Sequence, residues 1–429
     1  MPITSLESLS SILDTSRRDY RMVVSGNGAV PWTTLRAIDG ILPAYRMHML
    51  NAPAGVPDRT GVVLESAFVG VGMRKSPRLA YFPSRLSQVP MLFQRRLPVD
   101  IALVHTSVPV KGKVSLGIEV NVLPAAIESV RANGGLVIAQ ANPNMPYTFG
   151  DGEYPVEEFD AIIEVDEPFG GHAMQAGTAK AAAAAAPAAA APSKGIDRVE
   201  SAKIIGRLVS DRIDDGATLQ MGIGEIPDAT LAGLLKKKNL GIWTEMLADG
   251  VLALDDAGAL DPDRQLVSSF VHGSTDLNAW VHLNNRVRIL RTETTNSPSR
   301  ISQNPGMTSI NTALQVDLLD QANASRIRAK IHSGFGGQTD FTVGAMHARG
   351  GQAIMALRSW HPKADTSTIV PLLVEPVTSF QHTAVVTENG VAEISGYDEH
   401  TQAAHLIEFA AHPRIRAELW EEAVSLGLV

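Results

Sequence analysis

The sequence predicts an α/β protein: two tandem open, mostly parallel α/β domains with the working site in the cleft between them. Short β-branched apolar runs alternate with amphipathic stretches along the whole chain, the pattern of strands buried on both faces and joined through helices. At 429 residues the chain exceeds the roughly 250–300 that one hydrophobic core organises, so two cores are expected. A run near the middle, AKAAAAAAPAAAAPSK, is too uniform to bury a specific core and reads as a semi-rigid spacer. It divides the chain into a domain at 1–176, a linker at 177–195 and a domain at 196–429.

In the first half the expected strands are MVVSG (22–26), GVVLES (61–66), IALVHTSV (101–108), GLVIAQAN (135–142) and AIIEVDE (161–167), with a helix over Pro124–Ala132. In the second half they are TLQMGIG (218–224), LVSSFVHG (266–273), VRILRTE (287–293), AIMALRS (353–359) and TAVVTENG (383–390). Helices are expected over Ser201–Ile213, Ala229–Lys237 and His400–Phe409. Several strands run into small or polar turns: SGNG at 25–28, ANPN at 141–144, MGIG at 221–224 and TENG at 387–390. Open α/β sheets bind ligands at the carboxyl ends of their strands, so these turns face the expected cleft.

Composition narrows the function. Hydrophobic residues make up 45% and charged residues 19%, an ordinary globular balance. Thirty-seven Lys plus Arg against 45 Asp plus Glu leave a charge of −8, which argues against nucleic acid as a partner. With no cysteine there is no disulfide, thiolate nucleophile or Cys-ligated metal. The 12 histidines are scattered and HExxH is absent, so no metal is expected. Met1–Arg21 has no apolar run and no stretch is long and apolar enough to span a bilayer; a soluble, cytoplasmic protein without a membrane partner is expected. Neither GxSxG nor a P-loop occurs, and GFGGQT (334–339) lacks the last glycine of GxGxxG.

Carboxylates, amides and glycines remain to carry chemistry. A desolvated carboxylate with backbone N–H donors nearby can attack an activated acyl group. Glu245 fits, as an acid inside the apolar part of GIWTEMLADG (241–250), between two glycines. A helix-terminal carboxylate or a buried ion pair would explain the same pattern.

Longer motifs add a resemblance. ATLQMGIGEIPDA (217–229), LGIWTEMLADGV (240–251), SINTALQVDLLDQAN (309–323), SGFGGQTDFTVGAMHARGGQAIMAL (333–357) and VVTENGVAEISG (385–396) resemble the acetyl-CoA hydrolase/transferase family. VDIALVHTSVPVKGKVSLG (99–117) and IAQANPNMPYTFGD (138–151) extend the resemblance into the first half. It implies CoA-transferase domains and a class I CoA-transferase mechanism, in which Glu245 forms an acyl-glutamyl anhydride and then a glutamyl-CoA thioester. It implies further that Gly336, Gly337 and Asn296 polarise or position the reacting carbonyl, with Asn311 competing with Asn296. Gln338, Asp340, Gly344 and Ala345 are the implied CoA-binding residues; Trp243, Met221 and Gly222 are the implied acyl pocket. Glu388–Gly390 would line the cleft, and Arg74, Lys75 and Arg358 are candidates for the CoA phosphates. Two positions depart from the family pattern: Trp243 where many members have His, and Asn389 where Tyr is usual. The implied substrates are an acyl-CoA and a free carboxylate, with coenzyme A as substrate and covalent intermediate and a homo-oligomer, a dimer, as the assembly. An acyl-CoA hydrolase using Glu245, or an acyl-CoA-binding protein without turnover, are the alternatives.

Overall fold

The computed structural model describes residues 4–168, 197–375, 377 and 381–429. The linker expected at 177–195 lies outside the described residues. The first half forms a seven-stranded sheet from β1 (Arg21–Val24), β2 (Tyr45–His48), β3 (Val62–Ser66), β4 (Leu79–Tyr81), β5 (Ile101–Thr106), β6 (Leu136–Ala141) and β7 (Ala161–Glu164). Its order is β4-β3-β2-β1-β5-β6-β7 and every pairing is parallel. The second half forms a six-stranded sheet from β8 (Thr218–Met221), β9 (Gly241–Ile242), β10 (Thr308–Asn311), β11 (Gln352–Ala356), β12 (Ala384–Thr387) and β13 (Gly390–Glu393). Its order is β9-β8-β10-β11-β12-β13, parallel except for the closing β12–β13 hairpin.

Apolar alternation explains why these runs are strands. Along β5, Ala102 and Val104 enter one core while Ile101 and Leu103 enter another. Along β11, Ile354 and Ala356 turn one way and Met355 and Leu357 the other. Successive side chains of a strand point to opposite faces, so a run apolar at every position is covered on both sides. One of these cores holds residues of both halves, Val104 and Val137 together with Leu219 and Ile354.

Helices α1 (Trp32–Ile41), α2 (Leu123–Ala132), α3 (Arg198–Ser210), α4 (Glu225–Leu234) and α5 (Gln338–His347) supply much of the cover. The runs at 266–273 and 287–293 depart from expectation. They give short pairs outside the main sheets, Leu266–Ser268 with Val287–Ile289 and Phe270–Val271 with Met246–Leu247. The break falls at Ser269, next to Ser268, whose hydroxyl donates to the carbonyls of Glu245 and Phe270. The helix expected over His400–Phe409 runs from Glu399 to His405 and continues as a wider turn over Leu406–Ala410.

Candidate active site

The loops leaving β1, β2 and β3 lie side by side at the carboxyl edge of the first sheet. Asn27 N–H donates to the Leu50 carbonyl at 3.3 Å, and Asn51 N–H to the Phe68 carbonyl at 2.7 Å. The glycine-rich loop of the second half, Gly334–Gly337, adds to this stack. Val69 N–H donates to the Ser333 carbonyl at 2.7 Å, and Leu86 N–H to the Gly336 carbonyl at 3.0 Å. The cleft is therefore closed by backbone hydrogen bonds across the two halves.

Glu245 enters this cleft from the segment between β9 and Met246. Its carbonyl accepts from Ser269 N–H at 2.9 Å, Phe270 N–H at 3.0 Å and the Ser268 hydroxyl at 3.0 Å, so its backbone is fixed from one side. Its carboxylate accepts from Asn296 Nδ2 at 2.7 Å and from the Gly337 N–H. Asn296 is fully buried and oriented by the Thr295 hydroxyl, which donates to its Oδ1 at 2.7 Å. A side chain at Gly337 is excluded, because a Cβ there would stand 2.0 Å from Glu245 Oε2 and 2.3 Å from Asn296 Nδ2. Burial pushes the Glu245 carboxyl up to about 7; the Asn296 and Gly337 donors hold it down, while the negative charges of Asp340 and Glu119 push it further up. The residue still keeps some accessible surface. A desolvated carboxylate pinned by two amides has the character of a nucleophile held in place.

The structure brings Glu245, Asn296, Gly336 and Gly337 together and sends other candidates elsewhere. Asn311 pins strand ends, donating to Gln220 Oε1 at 3.2 Å and Ser309 Oγ at 2.8 Å. Trp243 shares the Glu245 side of its segment, but its indole N–H is bound to the Thr295 carbonyl at 2.9 Å and its ring packs on the cluster of Ile301, Phe341 and Ala345. Met221 and Gly222 line a cavity of about 350 Å³ with Ile242, Thr244 and Met246, and Glu245 is absent from that lining. Gly344 and Ala345 are packing residues: a Cβ at Gly344 would meet Ile301 Cβ at 2.5 Å, and Ala345 is fully buried. Asp340 accepts from Ser87 N–H at 3.2 Å and Ser87 Oγ at 2.8 Å, tying α5 to the first half; burial pushes its carboxyl up to about 6. Gln338 Nε2 reaches the Thr312 carbonyl at 3.2 Å. Glu388 and Asn389 form the β12–β13 turn, where Glu388 accepts from Ser359 Oγ at 2.5 Å. Arg74 donates to the His332 carbonyl at 2.6 Å and, like Lys75 and Arg358, makes no ion pair among the described residues.

Sequence reasoning missed Glu119. It is buried, accepts from Asn27 and Asn121, and is pushed up to about 7 by burial. Its backbone bridges to Phe270, whose N–H binds the Glu245 carbonyl. The signal was present, a lone acid in the apolar run Leu116–Leu123, the same criterion that selects Glu245. Among the described residues no group of three or more His, Asp or Glu could hold a metal, and no helix is long and apolar enough to cross a membrane.

A carboxylate held by amides between two parallel α/β units, at the carboxyl ends of their strands, has the surroundings that covalent acyl transfer to a carboxylate requires. Comparison with known proteins shows the family. Residues 273–423 match the model of the acetyl-CoA hydrolase/transferase C-terminal domain. The 4-hydroxybutyrate coenzyme A transferase of Clostridium kluyveri is 39% identical over 98% of this chain and 96% of its own. The crystal structure of RipA from Yersinia pestis superposes with a TM-score of 0.84 at 25% identity, covering 100% of this chain and 98% of that one. The acetyl-CoA hydrolase of Saccharomyces cerevisiae is more distant, 31% identical over 47% of this chain and 39% of its own. The chain belongs to the acetyl-CoA hydrolase/transferase family and, within it, is a CoA-transferase.

Proposed function

We propose that Glu245 carries CoA between an acyl-CoA and a free carboxylate through two covalent intermediates. The carboxylate of Glu245 attacks the thioester carbonyl, the C–S bond breaks, and an acyl-glutamyl anhydride forms with CoA thiolate as leaving group. The thiolate then attacks the glutamyl carbonyl of the anhydride, leaving a glutamyl-CoA thioester and releasing the first acid as its carboxylate. An acceptor carboxylate attacks that thioester, and the thiolate returns to the new acyl carbonyl, restoring Glu245. Each exchange keeps the thioester's energy, so no nucleotide is consumed.

The observation that carries this reading is the buried Glu245 carboxylate between Asn296 Nδ2 and the Gly337 N–H. Those two donors are matched to the glutamyl oxygen that gains charge in the two steps in which the glutamyl carbonyl is attacked. The unpaired cations Arg74, Lys75 and Arg358 are assigned to the phosphates of CoA, where they offset the overall −8 charge. The test is the intact mass of the protein after incubation with acyl-CoA and no acceptor. An added mass of CoA, mapped to Glu245 and absent from Glu245→Gln, is expected. Free CoA accumulating without any adduct would indicate hydrolysis instead, and full transfer by a folded Glu245→Gln would remove Glu245 from the chemistry.

A further inference from the structure

No step of the transfer uses Glu119, yet this acid is tied to both sides of the cleft. Its Oε1 and Oε2 accept from Asn27 Nδ2 at 3.0 and 2.8 Å, and Oε1 also accepts from Asn121 Nδ2 at 2.7 Å. The Gly26 N–H adds a further donor. Gly26 and Asn27 belong to the loop leaving β1, so the carboxyl edge of the first sheet holds this carboxylate. Asn27 and Asn121 have φ of 46° and 20°. Left-handed backbone at non-glycine residues is strained and concentrates at functional sites. A buried carboxylate is expensive to keep, and every donor to Glu119 is an amide rather than a cation.

Two backbone routes lead from Glu119 to the nucleophile. Along the first, Glu119 bridges to Phe270, and Val271 N–H donates to the Ile118 carbonyl at 2.8 Å. The Ser269 carbonyl accepts from Val120 N–H at 3.3 Å and from Asn121 N–H at 3.0 Å. Ser269 and Phe270 are the residues whose N–H groups hold the Glu245 carbonyl. Along the second, the Asn121 carbonyl accepts from Thr292 N–H at 3.0 Å. Thr292 opens the helical turn Thr292–Thr295, and Asn296 closes it by donating its N–H to the Thr292 carbonyl at 2.9 Å. Asn296 is the donor to Glu245 Oε2. One carboxylate therefore braces both the nucleophile and its amide.

The surrounding charges leave Glu119 able to act on Glu245. Glu119 and Asp340 of α5 both push the Glu245 carboxyl up. Asp340, at about 6 and beside Arg85, is ionised before Glu245 is. Arg291 gives its guanidinium to Glu128 and Glu293. His272 lines the cavity of Met221 and Met246 together with Asp249.

We infer that Glu119 is a positioning residue for the transfer: anchored by Asn27 and Asn121, it fixes the segments carrying Glu245 and Asn296 and sets a second negative charge beside the reacting carboxylate. This rests on Glu245 being the covalent nucleophile. A like charge nearby makes a carboxylate a more basic and therefore stronger nucleophile. The repulsion ends when Glu245 becomes an anhydride or thioester, both uncharged at that residue. Glu119 therefore favours the covalent states over the free carboxylate.

The test is the pH profile of transfer from 4-hydroxybutyryl-CoA to acetate by the wild type, Glu119→Gln and Asn27→Gly, alongside the mass of the Glu245 adduct. Glu119→Gln keeps the shape and drops the charge. Asn27→Gly keeps the positive φ without strain and removes a donor that holds the charge on Glu119. In both, the acid limb is expected to move down by about half a pH unit or more, because Glu245 then ionises beside a neutral neighbour. Above the limb, kcat should fall by about tenfold while KM stays within about twofold, the mark of a misplaced reacting group. A folded Glu119→Gln whose limb stays in place or moves up overturns the inference, whatever its kcat, since a packing role alone leaves the limb unmoved. Should Glu119→Gln fail to fold, the limb of Asn27→Gly decides in the same way. An adduct on Glu245 in the wild type, with the limb unmoved in the variants, removes this inference and leaves the transfer mechanism standing. No adduct in the wild type overturns both.

Discussion

At the scale of single residues, the Glu245 carboxylate is balanced between burial, which favours its proton, and two amide donors, which favour its charge. It attacks only as the anion, so transfer should rise with pH through about 7 and level off above it. Asn296→Ala removes the donor to Oε2 and so should move that acid limb upward by about one unit, since a hydrogen bond to a charged group is worth roughly 1.5–3 kcal/mol. A limb that stays in place or moves down would show that Asn296 does not hold the charge. Gly337→Ala tests the same contact by volume: its Cβ would sit 2.0 Å from Glu245 Oε2. Transfer should fall by about 100-fold or more with the fold intact by circular dichroism, because displacing a preorganised group is felt mainly in the chemical step. Glu245 and the glycine pattern were legible as candidates through the family resemblance, because from composition alone a helix-terminal carboxylate or a buried ion pair would explain Glu245 as well. The partner of Glu119 was not, because Asn27 is a single asparagine in a loop with no periodic signal, far from Glu119 in the chain.

Elements were legible in proportion to how apolar they are. β5 and β11 stand out because both faces are covered by core. β10, in the middle of the second sheet, was missed because it reads TSIN, and its Ser309 spends its hydroxyl on Gln220 Oε1 at 2.7 Å. Strand ends that face a site are polar for the sake of the site, so they lose the signal that marks a strand. Gly344, implied by resemblance as a passage for CoA, has a packing reason of its own. It lies where α5 crosses the Pro298–Ile301 turn, and a Cβ would stand 2.5 Å from Ile301 Cβ. Gly344→Ala should therefore destabilise by about 1–3 kcal/mol in denaturant unfolding. Adding Ile301→Ala should recover part of that loss, since neighbouring substitutions that share one space are not additive. Strict additivity of the two would mean the helix and the turn do not press on each other.

The whole molecule unites two sheets around one shared core. Val104 and Val137 of the first sheet join Leu219 and Ile354 of the second in that core, and backbone bonds such as Val271 N–H to the Ile118 carbonyl cross between the halves. Two α/β units joined this way should lose structure together, giving one transition in scanning calorimetry. Glu245 gives that transition a pH dependence of known sign. Its folded value of about 7 lies above the ordinary 4.5, so the folded state binds the proton more tightly than the unfolded chain. The stability it contributes is complete below its unfolded value and is lost as pH rises through its folded value. Glu245→Gln cannot ionise, so its advantage over the wild type should grow between about pH 5 and about pH 8, up to a limit of about 3 kcal/mol or about 3 °C in Tm. Measuring both proteins in the same buffers cancels the paired surface carboxylates, whose effect has the opposite sign. A gap that stays constant with pH would mean the carboxyl is not desolvated in the folded chain. Two transitions, with the gap confined to one, would mean the halves unfold apart and the cleft is held by only one of them.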